Sequence, residues 1–115
     1  MSATERLAEA ENLLRAGRRG RAVAALRQLV AEAPDMAAAR ELLGFALEVT
    51  GDRAGAEAEF RAALTAEPSR MAAATSLAAL LLARRQPAEA AEVLRPLTSD
   101  PGADVGLLTT FGAAL

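Results

Sequence analysis

Apolar residues return along this chain with the rhythm of a helix face. In Leu42, Leu43, Ala46 and Leu47, and again in Ala56, Phe60, Ala63 and Leu64, they recur three or four positions apart. Bounded by turn and cap residues, this spacing predicts helices near 3–16, 20–32, 36–50, 53–66, 70–84, 87–98 and 104–115. Ser2 with Glu5 reads as a capping box. Asp35 and Ser69 stand where N-caps should open helices, Asp52 follows Gly51 to open another, and Pro87 suits a first helical turn. Pro96 falls inside the sixth segment. There it removes a backbone donor and crowds the carbonyl of Glu92, so a kink or early fraying is expected.

Laid against itself, the chain repeats with a period of 34: Pro34 with Pro68, Gly17 with Gly51, and Ala22 with Ala56 and Ala90. Leu13, Leu47, Leu81 and Leu115 keep the same step. A further series, Ala10, Gly44, Ala78 and Gly112, holds only the two smallest residues. Five registers therefore agree on one period, with two helices in each repeat. The small residues fall where two helices would touch, and Leu or Phe fills the space beside them.

Composition narrows the function. Of 115 residues 52% are hydrophobic but only 3% aromatic, so the apolar content is mostly Ala and Leu, which favour helix and allow close approach. One domain's worth of sequence is present. The chain has no Cys, His, Trp, Tyr or Lys, which removes thiolate and imidazole chemistry and argues against catalysis, metal binding and any cofactor. Arg supplies all 13 positive charges against 15 carboxylates. A net charge of -2 argues against nucleic-acid binding, which needs clustered positive charge. The N-terminal MSATERLAEAENLL carries charge every few residues, unlike a signal peptide or a membrane span. The expected compartment is the cytoplasm, and the lack of cysteine agrees with it.

The repeat resembles the tetratricopeptide repeat, with its W-x2-L-G-x2-Y, A-x3-F and P signature at a period of 34. Repeat two reads Arg40-x2-Leu43-Gly44-x2-Leu47, then Ala56-x3-Phe60, then Pro68. Repeat one gives Ala10-x2-Leu13, Ala22-x3-Leu26 and Pro34; repeat three gives Ala78-x2-Leu81, Ala90-x3-Leu94 and Gly102. Arg6, Arg40 and Ala74 stand where Trp is common, and Leu replaces Tyr throughout. The resemblance covers essentially the whole chain. It implies an all-α fold of about seven helices, an α-solenoid of antiparallel helix-turn-helix repeats wound as a right-handed superhelix. As one domain over 1–115, its repeats are about 3–36, 37–70 and 71–104, with a partial fourth at 105–115.

The same resemblance implies a concave groove lined by the first helix of each repeat and holding a peptide or a partner's helix. The groove-facing residues carried over are Leu7, Glu11, Glu41, Leu42, Phe45, Glu48, Thr75, Ala79 and Leu82, with Arg15 beside them. Members that grip a chaperone's C-terminal carboxylate use Lys and Asn at positions held here by Leu7, Glu11, Leu42, Ala72 and Ser76, which argues against that ligand. An apolar floor flanked by Glu11, Glu41 and Glu48 suits an amphipathic or basic peptide. A bland alternative makes the apolar members partly buried packing residues and the glutamates a solvated face.

Charge is also segregated at the turns. Arg15, Arg18, Arg19, Arg53, Arg84 and Arg85 fall at turns inside repeats, whereas Glu32, Asp35, Glu67, Asp100 and Asp104 fall between repeats. One edge is expected to be basic and the other acidic, either as solvated edges or as a means of steering an acidic partner or membrane surface. After Asp104 the sequence VGLLTTFGAAL has no charge, although a terminal repeat needs a polar outer face. Either the array continues beyond Leu115, or another copy covers Leu108, Phe111 and Leu115. The function expected is a non-catalytic protein-interaction scaffold. The alternatives are an N-terminal regulatory or substrate-positioning array of a sulfotransferase, glycosyltransferase or hydroxylase, and a structural spacer that self-associates.

Overall fold

The structure, a computed structural model, describes residues 2–98. Among them are helices α1 (Ala3–Arg15), α2 (Arg19–Glu32), α3 (Ala37–Thr50), α4 (Arg53–Ala66), α5 (Met71–Ala83) and α6 (Pro87–Thr98), and no strand. Each lies within one residue of its predicted bounds. The expected seventh helix, 104–115, and the partial fourth repeat lie outside the described residues.

The caps explain the bounds. The Ser2 hydroxyl accepts from the Glu5 N–H at 3.2 Å while Glu5 accepts from the Ser2 N–H at 3.3 Å, closing the capping box of α1. At α4 the Asp52 carboxylate accepts from the Gly55 N–H at 2.9 Å, so Asp52 caps as expected. Asp35 and Ser69 do not cap. The N-caps of α3 and α5 are Met36 and Arg70, without side-chain bonds. The cause is the preceding proline. Pro34 and Pro68 occupy the second position of turns closed by Met36 N–H to Ala33 O at 3.1 Å and Arg70 N–H to Glu67 O at 3.2 Å. Asp35 and Ser69 are consumed as the third residue of those turns. Pro87 is the first residue of α6, as expected. Pro96 lies in the last turn of that helix, which runs on to Thr98 instead of ending early; so near the end, few residues follow that its ring could displace.

The first helix of each repeat ends in the same backbone device. Arg18, Asp52 and Gln86 donate back to the carbonyls of Leu13, Leu47 and Leu81 at 2.9, 2.8 and 2.8 Å. Gly17, Gly51 and Arg85 donate to Leu14, Glu48 and Leu82 at 3.0, 3.1 and 3.0 Å, completing three Schellman motifs spaced by 34 residues. The motif needs a left-handed residue. Gly17 and Gly51 supply it with φ of 77° and 95°, and Arg85 supplies it at 58°.

The described residues group into two compact units, one ending at Ala66 and one beginning at Glu67. In the first, α1 packs on α2 and α3 on α4, while α2 and α1 both rest against α3. In the second, α5 packs on α6. The repeat register predicts the cores of both. Ala10, Ala22, Leu26, Ala56 and Phe60 in one unit, and Ala78, Ala90 and Leu94 in the other, are each exposed by 1% or less. The tightest fit is at Gly44. A Cβ built there would lie 2.8 Å from Cε1 of Phe60, so the absence of a side chain lets the ring of α4 press onto the backbone of α3. No polar or charged side chain among the described residues is buried.

Arg40, where the repeat pattern favours Trp, ties three elements instead. Its Nε donates to the Pro34 carbonyl at 3.1 Å and an Nη to Glu59 of α4 at 3.1 Å. Arg6 at the equivalent place pairs with Glu32 of α2 at 2.6 Å. In the second unit Ala74 at that position is buried with no charge to satisfy.

Candidate functional site

Where α1 and α3 lie side by side in the first unit, their exposed faces leave an open cavity of about 400 Å³. Its lining is Glu11, Leu14 and Arg15 of α1, Arg19 at the start of α2, and Leu42, Phe45 and Val49 of α3. Leu42, Phe45 and Val49 form one stripe because three- and four-residue steps return to the same helix face. Phe45 and Val49 are 45% and 48% exposed, and with Met71 they are the large apolar side chains most exposed among the described residues. Two of those three therefore meet in one concavity.

Phe45 is held from beneath. Its ring meets that of Phe60 edge to face, with centroids 6.2 Å apart and planes at 81°. Since Phe60 is fully buried against Gly44, the outer ring rests on the core through one aromatic contact. The floor is therefore preformed.

Of the residues expected to face a groove, the structure brings Glu11, Leu42 and Phe45 together at this cavity, with Arg15 beside them. Leu7, Glu41 and Glu48 are half-buried on the same two helices but do not line it. At about 100° per residue, Glu41 and Glu48 lie within about 20° of each other on α3 and beside the apolar stripe, not within it. Thr75 and Leu82, half-buried, and Ala79, exposed, belong to α5 in the other unit. Sequence reasoning missed Leu14, Arg19 and Val49. Val49 follows Phe45 by one helical turn and Leu14 follows Glu11 by three positions, so extending each stripe would have found both. Arg19 sits on α2, and only the fold brings it to the rim.

The turns carry the expected charges. Arg15, Arg18, Arg19 and Arg53 are exposed at or beside the α1–α2 and α3–α4 turns, and Arg84 and Arg85 at the α5–α6 turn. The acidic residues between repeats are partly neutralised, Glu32 by Arg6 and Glu67 by Arg70, each at 2.6 Å. Asp100, Asp104, Leu108, Phe111 and Leu115 lie outside the described residues. Among the described residues no group of three His, Cys, Asp or Glu side chains could hold a metal, and no helix is long and apolar enough to cross a membrane.

A family model described as tetratricopeptide repeat matches residues 7–69 and again 46–104. Comparison with curated proteins finds no match. Among solved structures, one titled MamA RS-1 ArsTM double mutant is similar to this chain with a TM-score of 0.82 and 24% identity. The likeness covers 97% of this chain and 63% of that one, so this chain spans less than two thirds of its length. At that identity the likeness speaks to fold alone.

Proposed function

The chain belongs to the tetratricopeptide-repeat family, all-α solenoids of paired helices that generally mediate protein–protein interaction, and on that premise we propose a non-catalytic scaffold that takes a partner's peptide or helix on the α1–α3 face. The observation that carries this reading is the exposed pair Phe45 and Val49, gathered into one cavity and backed by the buried ring of Phe60. Large apolar groups held rigidly in a concavity lose little freedom on binding and gain by leaving water. An amphipathic segment with apolar residues at helical spacing matches such a floor. Leu7, Glu41 and Glu48 are proposed to border the same partner in the first unit, and Thr75, Ala79 and Leu82 to serve the equivalent face of α5. The proposed compartment is the cytoplasm, in keeping with a cysteine-free sequence.

The test pairs binding with stability. Phe45→Ser combined with Val49→Ser should weaken a designed amphipathic-helix peptide by about tenfold or more, because interface anchors each contribute upwards of about 1 kcal/mol. The thermal midpoint should change little, since both side chains are already about half exposed. Undiminished peptide affinity in the double variant, measured by fluorescence anisotropy, would remove this face as the docking site.

A further inference from the structure

Resting on that reading, we infer that the segment seated on the α1–α3 cavity is acidic at its end nearest the α1–α2 turn, so the partner is an apolar peptide with a carboxylate-rich flank. The cavity draws its lining from chemically different elements. Leu42, Phe45 and Val49 supply an apolar side, while Arg15 and Arg19 stand at the turn end. Glu11 is the one carboxylate in the lining, and its Oε2 lies 3.8 Å from Arg15 in an exposed pair. Arg19 makes no ion pair among the described residues. The lining therefore carries two guanidinium groups against one carboxylate.

The surroundings extend that sign. Arg18 and Arg53 are exposed at the same end and also make no ion pair among the described residues. The nearby Asp52 carboxylate, which caps α4 by accepting from the Gly55 N–H at 2.9 Å, keeps its charge but is outnumbered by Arg18, Arg19 and Arg53. Glu41 and Glu48, which suggested a basic ligand, lie on an adjoining stripe of α3 and do not line the cavity. An excess of exposed positive charge at one end of an apolar trough favours the direction in which a peptide lies with its acidic end there.

Two fluorescent peptides of about 14 residues test this, both with the same leucine- and phenylalanine-bearing helical stripe, one with three terminal glutamates and one with three terminal lysines. Against the full 115-residue chain at low salt, the glutamate peptide should bind about five- to twentyfold tighter, as two or three exposed ion pairs allow. Its advantage should shrink towards parity in about 1 M salt, where screening acts within about 3 Å. Arg15→Glu with Arg19→Glu should reverse the preference, while Arg27→Glu, away from the cavity, should leave it. Equal affinities, or a preference for the lysine peptide, overturn the acidic flank and leave the docking face standing. If neither peptide binds, both fall. Should the double reversal unfold the chain, the salt dependence of the unaltered protein decides: glutamate-peptide binding indifferent to salt overturns the inference.

Discussion

Arg85 holds a φ of 58° where its counterparts one and two periods earlier, Gly51 and Gly17, hold 95° and 77°. A side chain in the left-handed region pushes its Cβ towards the following carbonyl, at a cost of about 1–2 kcal/mol. Arg85→Gly should therefore raise stability by about 0.5–1 kcal/mol, part of the relief being offset by the greater freedom of glycine when unfolded. Denaturant midpoints of the two proteins measure it. Gly44 makes the opposite case. Gly44→Ala would set a methyl against the Phe60 ring, 2.8 Å from Cε1, and should cost about 1–3 kcal/mol. The small residue at that place was legible as a member of the Ala10, Gly44, Ala78 series. The left-handed role of residue 85 was not, because arginine gives no local sign of it and only the period points there.

Helix pairs are joined by contacts that each repeat has settled differently. In repeat two Arg40 reaches Glu59 across the α3–α4 pair at 3.1 Å, with side chains only 22% and 17% exposed. In repeat three the equivalent residues are Ala74 and Val93. Arg40→Ala alone should cost about 1–3 kcal/mol, since it strands a half-buried carboxylate. Adding Glu59→Val, the solution of repeat three, should recover a large part of that loss in chemical denaturation. A double variant as unstable as the sum of its singles would show that the pair is not coupled. Bounds of elements were legible because glycine, proline and cap residues mark them. The exceptions, Asp35 and Ser69, share a cause: each follows a proline that sets a tight turn, so the polar residue is spent before the helix begins. Pairing partners for Arg6 and Arg40 were not legible, since periodicity says which face meets a neighbour and not which atoms bond.

At the scale of the molecule, the sequence expectation of one array over 1–115 stands as a proposal with its own test. In coupled repeats a local loss is shared with neighbours. Phe60→Ala, which should cost about 3–5 kcal/mol, would then shift a single helical unfolding transition; two separated transitions would show that the units ending at Ala66 and beginning at Glu67 melt on their own. The candidate site was legible in part, because Glu11, Leu42 and Phe45 follow from the register of the first helices. The rim was not, because Arg19 reaches it only through the fold of the α1–α2 turn. The central claim is that a partner's apolar side chains dock between α1 and α3. Backbone amide NMR shifts during titration of the labelled chain with the glutamate-flanked helical peptide test it most directly. The account predicts that the perturbed amides cluster from Glu11 to Arg19 and from Leu42 to Val49. Shifts centred instead on Arg27 to Pro34, or no shifts at saturating peptide, would contradict it.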